Sequence, residues 1–350
     1  MNYVFENLYF IIFLILIISV ILIDLLIIGK KKHEIFFKES VIWTSIWIFL
    51  SFLFFIFLYL YGYKIHNIDN IASLKSNFLL FYPHLLVDQL SYSDALKLYQ
   101  KNLATDYLTG YLLEYSLSID NIFVILIVLT SFSVNPKYYK TVLFWGILGA
   151  IVLRFLFIFL GSTLITKYQW LLYLFGIFLL YSGLKMFLNR NRKERLEVKD
   201  HILVKFLTKY FNIYPEYRNQ KFWLFSNGKL FITPLLIVLI LIEFSDLVFA
   251  FDSIPAIFSI TRDPYIVFFS NIFAILGLRS LFFVLIKILE YFRFLKIGIS
   301  VILVFVGFKL LLHNYIDKTG FTNIYSLIFI LITLFICATL SIVLPAKNKV

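Results

Sequence analysis

The chain has 350 residues, of which 61% are hydrophobic and 20% aromatic, and a formal net charge of +12. Its mean hydropathy of +0.92 excludes a soluble globular domain. Apolar runs of about 20 residues, each able to cross roughly 30 Å of hydrocarbon, recur along it. A single cysteine, Cys337, excludes a disulfide framework and a cysteine-built metal cage. The positive charge is read as basic cytoplasmic loops, not as nucleic-acid binding.

These runs predict an all-α fold, a polytopic transmembrane helix bundle of about nine spans. They lie at 6–29, 41–62, 107–131, 141–163, 168–188, 231–258, 264–287, 292–312 and 322–344. The first run lacks a basic leader. It ends in Lys30-Lys31-Lys32, not in a small-residue cleavage site, so it reads as a retained helix. Residues 1–62 are thus two N-terminal helices, and 63–106 an outward-facing loop. His66 and His84 lie in that loop among several aspartates, and a plain loop is favoured over a metal-gathering one. Residues 189–230 form a basic linker suited to lie near anionic lipid, and 322–344 is a final helix. One set of alternate loops carries 21 Lys and Arg, and the other carries seven. The positive-inside rule then puts the N-terminus outside and the C-terminus in the cytoplasm.

The chain also repeats itself. WGILGAIVLRFLFI (145–158) aligns with SNIFAILGLRSLFF (270–283), which sets Arg154 over Arg279 and brings Asn271 into the motif. GLKMFL (183–188) aligns with GFKLLL (307–312), and EYSLSIDN (114–121) with DLVFAFDS (246–253). Each copy, 107–188 and 231–312, holds three spans. An odd number makes the second copy enter from the opposite side, giving inverted repeats with a site expected at their interface.

Five acids lie in these spans: Glu114, Asp120, Glu243, Asp246 and Asp252. Each charge near a helix centre costs about 2.5–3.5 kcal/mol on insertion scales. Pairing with Arg154 and Arg279 accounts for two acids and leaves three, which is what a cation path requires. Glu114 and Asn121 share a helix face, as do Asp246 and Ser253, and Glu243 is one turn from Asp246. Set antiparallel, the two motifs predict layers pairing Glu114 with Asp252 and Asp120 with Asp246, about 9 Å apart. Pro255 frees a carbonyl beside Asp252 and predicts a bend or unwinding. An all-oxygen donor set suits Mn²⁺, Ca²⁺ or Mg²⁺ over Cu(I) or Zn²⁺. Asp24 in the first span is a supporting candidate or a partner of the following lysines. No nucleophile–base pair or phosphate-binding loop is found, so neither an enzyme nor a cofactor is expected.

The stretches TGYLLEYSLSIDNIFV (109–124), VLFWGILGAIVLR (142–154) and ITPLLIVLILIEFSDLVFAFDSIPAIFSITRDPYIVFFSNIFAILGLRSLFF (232–283) are similar to the TerC/Alx family of integral membrane proteins. The resemblance implies manganese efflux, the better supported of the family's roles beside tellurium resistance, in some members linked to metal supply for exported proteins. It also implies that Glu114, Asp120, Asp246 and Asp252 are metal-path acids. Residues 65–92 depart from the family as an insertion. The expectation is a secondary Mn²⁺ exporter working by alternating access. A Ca²⁺ exporter is the alternative in transport, and a membrane scaffold for secretion or stress complexes the alternative outside it.

Overall fold

The computed structural model describes residues 37–83, 85, 87, 89–168, 170–188, 209–214, 216–218, 220–226, 229–288, 294–312 and 323–344, with isolated positions 11, 12, 15, 19 and 315. At 119, 120, 123, 131, 166, 171, 226, 251, 252, 287, 288, 295, 296 and 323 it describes the backbone alone. Most of the predicted first span, including Asp24, lies outside the described residues.

The described part is a helix bundle. Its helices are α1 (Phe37–Tyr61), α2 (Ile71–Phe81), α3 (Tyr92–Ser131), α4 (Tyr139–Lys167), α5 (Leu171–Leu188), α6 (Pro234–Phe258), α7 (Pro264–Ile288), α8 (Leu295–Leu311) and α9 (Asn323–Val343). Five helical segments are long and apolar enough to cross a membrane: Phe37–His66, Pro136–Ile165, Pro234–Phe258, Pro264–Ile286 and Ile324–Val343. α1 explains why the bundle belongs in lipid. It buries Ser40, Thr44, Trp47 and Ser51 along one face and exposes Ile42, Phe49, Phe52 and Leu53. That is the reverse of a soluble helix, because polar groups in hydrocarbon find hydrogen bonds only inside the bundle. Ser51 Oγ, for instance, is 2.7 Å from Tyr107 Oη on α3. α7 is the central helix, buried on nearly every side against α1, α3 and α4.

Three expectations change. Residues 63–106 are not a loop. A 3₁₀ turn (Gly62–His66) leads to α2, whose start is fixed by a reciprocal Asn70–Ser73 capping box. α3 begins at Tyr92, with Ser91 Oγ accepting from Asp94 N. Its 40 residues reach about 60 Å, twice the hydrocarbon thickness, so its first turns stand outside the bilayer. The cap buries Ile65, Ile68, Leu74 and Phe78 in one core with Tyr99 and Leu103 of α3.

The fold is also not purely α-helical. Strands β1 (Asn212–Ile213), β2 (Trp223–Ser226) and β3 (Lys229–Ile232) form a sheet of order β1-β3-β2, with β2 and β3 antiparallel. The Asn-Gly dipeptide at 227–228 between two apolar runs is a hairpin signal that a search for spans passes over. Lastly, α6 is assigned as one helix through Pro255. The proline lies in the final turn, where only the Phe251 carbonyl loses its intrahelical donor.

Helices α5 and α8 meet almost backbone to backbone. A Cβ on Gly183 would stand 3.0 Å from the Ser300 carbonyl and 3.0 Å from Val304 N. A Cβ on Gly307 would stand 3.0 Å from the Gly176 carbonyl and 2.9 Å from Leu180 N. Residues 176, 180 and 183 align with 300, 304 and 307, so the two glycines make the same contacts in reverse. The pairing of 176 with 307 and of 183 with 300 makes the helices antiparallel. Small residues permit this approach, and close packing is the main attraction between helices in lipid.

Two apolar clusters fill the bundle. The first takes α3 up to Leu117, α4 from Ile158, α6 from Ala250 and α7 up to Leu276. The second takes α3 from Ile122, α4 up to Leu143, α6 up to Ile242 and α7 from Leu278. A seam lies between them on all four helices. α3 crosses it in the opposite sense to α6, and α4 in the opposite sense to α7.

Candidate functional site

Arg154, Glu243 and Asp246 lie within that seam, with Glu114 at its border. Arg154 of α4 is fully buried, and its guanidinium joins residues from three other helices. Nη1 donates to Glu114 Oε1 of α3 and to Asn271 Oδ1 of α7. Nη2 donates to Asp246 Oδ1 of α6 at 2.9 Å, and Nε to Asp246 Oδ2 at 3.4 Å. Glu114 and Asn271 are fully buried, whereas the Asp246 side chain keeps 17% of its surface exposed. Asp246 therefore marks the accessible edge of the cluster.

This geometry revises the predicted layers. Glu114 and Asp246, the first acids of the two aligned motifs, lie on one guanidinium. The sequence reading had set Glu114 level with Asp252 by centring the crossing between the acids of each motif. The helices instead meet near the first acids. Asp120 and Asp252 follow on the same helices, six residues further along each.

Several buried polar atoms in and beside the seam find no hydrogen-bond partner among the described residues. They include Glu114 Oε2, Ser118 Oγ, Asn271 Nδ2, Ser253 Oγ and Glu243 Oε2. An unsatisfied buried polar group costs about 1–3 kcal/mol, so such a concentration requires a reason. Four of the five are oxygens. Ser118 lies one turn beyond Glu114 on the same face of α3, with Asn121 a further turn on and buried. Glu243 packs on α4 where Gly149 leaves room, since any Cβ there would strike its carboxylate. Asn271 and Ser118 are the residues that sequence reasoning underrated. The signal for Asn271 was its place in the aligned arginine motif, and that for Ser118 its helical spacing from Glu114. Arg279 is buried on α7. The aligned lysines differ: Lys309 is buried and donates to Ser326 Oγ at 3.1 Å, whereas Lys185 is exposed.

A second polar group lies under the cap, outside the spans. His66 Nε2 stands 3.1 Å from Asp263 Oδ2, and His66 Nδ1 2.9 Å from Tyr99 Oη. Asp263 Oδ1 accepts from Tyr265 N at the start of α7, and Tyr82 Oη donates to Asp106 at 3.0 Å. Burial, reinforced by Asp106 and Asp263, holds the Tyr82 and Tyr99 phenols well above the ordinary tyrosine range. They remain neutral hydrogen-bonding groups. The cluster ties the cap to the α6–α7 connection, and it gives His66 a structural use where the sequence had left a metal role open. Among the described residues no group of three or more His, Cys, Asp or Glu is arranged to hold a metal ion. The seam thus offers carboxylates held by arginine, with oxygens free beside them.

Residues 99–349 match the family described as "Integral membrane protein TerC family". The "Putative membrane-bound redox modulator Alx" of Salmonella typhi is 40% identical over 304 residues, covering 87% of this chain and 85% of that protein. An "Uncharacterized membrane protein STKORF319" of Myxococcus xanthus is 37% identical over 304 residues, 87% of this chain and 83% of its own. An "Uncharacterized membrane protein" of Rickettsia bellii is 38% identical over 314 residues, 90% of this chain and 91% of its own. No solved structure matches the chain.

Proposed function

Because the chain belongs to the TerC family of integral membrane proteins, we propose that it is a secondary transporter exporting a divalent metal, Mn²⁺ first. Alternating access between two inverted three-helix units would carry the ion. The observation behind this reading is the buried guanidinium of Arg154, shared by Glu114 and Asp246 from opposite units and flanked by unpartnered oxygens. A cation binding those carboxylates competes with Arg154 for the same atoms. The site can then exchange a mobile charge for a fixed one and avoid stranding two acids in hydrocarbon.

The packing supports the inverted units. α3 packs on α7 as α6 packs on α4, while α3–α6, α4–α7 and α5–α8 are contacts between aligned elements. These main contacts map onto one another when the two units are exchanged. The mutual contacts of Gly183 and Gly307 on antiparallel helices are consistent with a local two-fold axis perpendicular to both. For membrane-crossing helices such an axis lies in the membrane plane. The nine-span arrangement, with the N-terminus outside and the C-terminus in the cytoplasm, completes the reading.

Under this reading the acids of the path are Glu114, Asp120, Asp246 and Asp252, with Asn121, Ser253, Ser118 and Glu243 as further oxygen donors. Hard oxygen ligands serve Mn²⁺ and Ca²⁺ alike, so Ca²⁺ is the competing cargo. The redox term in the Alx relatives' printed name does not demand thiol chemistry in this chain. One cysteine cannot form an internal disulfide, and a redox effect would follow from altered cytoplasmic metal. Uptake of Mn²⁺, Ca²⁺ and Mg²⁺ into inverted vesicles tests the proposal. Mn²⁺ accumulation that is lost in Asp246→Asn is the expected result. Failure to accumulate any of the three overturns it.

A further inference from the structure

The β2–β3 hairpin belongs to the one sheet among the described residues of a helical membrane protein, and one of its faces is largely exposed. Residues paired across antiparallel strands point to the same side. Trp223 pairs with Ile232 and Phe225 with Leu230, so these four share a face. Ile232, next to the membrane helix, is buried. Trp223, Phe225 and Leu230 are 59%, 79% and 45% exposed. Three large apolar side chains in a row are out of place in water.

The neighbours fix the height of this face. β3 ends at Ile232 and α6 begins at Pro234, so the hairpin is two residues from a span. Phe222, which immediately precedes β2, meets the ring of Trp145 edge-on at 6.3 Å. Trp145 is six residues into α4, about 9 Å from its start, and is itself 46% exposed on the lipid side of a span. The hairpin therefore lies beside the exposed face of α4, near the start of that helix. Tyr217, joined to the sheet, holds it there: its hydroxyl donates to the Phe132 carbonyl at 2.7 Å, and its ring stacks on Tyr138. Burial pushes the Tyr217 phenol up to about 12, so it remains a donor.

Charge supplies the last element. Between residues 209 and 232 there are four basic side chains, Lys209, Arg218, Lys221 and Lys229, against one acid, Glu216. All four are exposed. Aromatic side chains that partition to the interface, ringed by bases that reach phosphate, describe a lipid-facing element.

We propose that the β2–β3 hairpin is an interfacial anchor, with Trp223, Phe225 and Leu230 inserted among the headgroups of an anionic bilayer and the surrounding lysines and arginine bound to lipid phosphate. The occupant is the membrane itself, not a partner protein. The anchor would fix the entry of α6, the helix that carries Asp246, relative to the bilayer plane.

The test uses the full chain with Cys337→Ser as background. Phe225→Cys and, separately, Leu230→Cys are labelled with a small fluorophore. Asp69→Cys on the exposed cap serves as the aqueous reference, and Phe335→Cys on the exposed face of α9 as the lipid reference. Each protein is reconstituted into vesicles of phosphatidylcholine alone or with phosphatidylglycerol. A nitroxide near the glycerol backbone of the lipid should quench the Phe225 and Leu230 labels at least twofold more than the Asp69 label. A nitroxide at the chain end should quench the Phe335 label more strongly than either. Iodide should reach the hairpin labels less in the anionic vesicles than in the zwitterionic ones. Full iodide access with no lipid quenching would overturn the anchor. So would iodide protection without nitroxide quenching, because it assigns the face to a protein partner or a second copy. Lipid quenching that is identical in both vesicle types would overturn the anionic-lipid part of the proposal.

Discussion

Replacing Arg154 by glutamine separates a switching arginine from a merely structural one. Arg154 is fully buried and donates to Glu114, Asp246 and Asn271. Breaking a buried ion pair from one side costs about 3–5 kcal/mol, since the remaining charge is left without its partner. That predicts a large fall in thermal stability and in yield. The same change removes the cation's competitor. If Arg154 holds the carboxylates with about 3 kcal/mol, cation binding to surviving protein should tighten by up to about 150-fold. Tightening of at least tenfold allows for partial compensation. Net export per copy should fall, because an empty carrier without the arginine must cross with bare carboxylates. Titration of Mn²⁺ into purified protein reads the binding, and proteoliposome flux normalised to copy number reads the turnover. Glu114→Gln added to Arg154→Gln should restore part of the lost stability, because it removes the stranded charge. Unchanged or weakened Mn²⁺ binding in Arg154→Gln would refute the competition, leaving only a structural ion pair.

Asp120→Asn and Asp246→Asn should each abolish manganese resistance in an efflux-deficient host while keeping membrane abundance near normal. Loss of abundance would point to ion pairing alone. Gly183→Val and Gly307→Val should each disrupt the α5–α8 crossing, since a Cβ at either site lies within 3.0 Å of backbone across the interface. Their thermal midpoints should fall by similar amounts, which a melting series on detergent-solubilised protein checks. Compartment reporters fused after Asp200 and after Lys318 should give opposite signals, and identical signals would break the inverted topology.

How far the sequence could be read depends on the physics of each feature. Five of the predicted spans from 37 onward coincide with helices long and apolar enough to cross a membrane, because hydrocarbon admits only long apolar helices, whereas 107–131 lies inside the longer α3, and 168–188 and 292–312 fall on shorter apolar helices. The repeat expectation rests on Arg154, Arg279 and the aligned acids, since charge in such a chain is too costly to recur by chance. The cap was not, because α2 and the first turns of α3 follow soluble rules: a capping box at Asn70 and inward Leu74 and Phe78. The hairpin was missed for the same reason, as an Asn-Gly dipeptide in the sequence is a slight signal beside 20-residue runs. Within the seam, Arg154 joins Glu114 and Asp246, which is a different layering from the one the spacing predicts. Sequence fixes the spacing along one helix, but where two helices cross is decided by packing, here by the close α5–α8 contact and the central α7.

The repeat and the single guanidinium together make a demand on the second arginine. Arg154 and Arg279 are aligned, and so are Glu114 and Asp246, yet in this structure Arg154 joins the two acids. A two-fold arrangement with one arginine on the acids is asymmetric at its centre. Under the proposed alternating access, the opposite-facing conformation arises when the two units exchange their shapes. The same exchange brings Arg279 to the acids and withdraws Arg154. Each arginine then stabilises one orientation of the empty carrier, and removing either should bias the protein toward the other. Arg154→Gln and Arg279→Gln should therefore shift access in opposite directions. A cysteine beside the site, such as Ser253→Cys in a Cys337→Ser background, can be probed with an impermeant thiol reagent added to right-side-out or inverted vesicles. The ratio of the two labelling rates should rise in one variant and fall in the other, by severalfold each way. If both variants move the ratio in the same direction, the arginines are not exchanged between orientations, and Arg154 is the only switch.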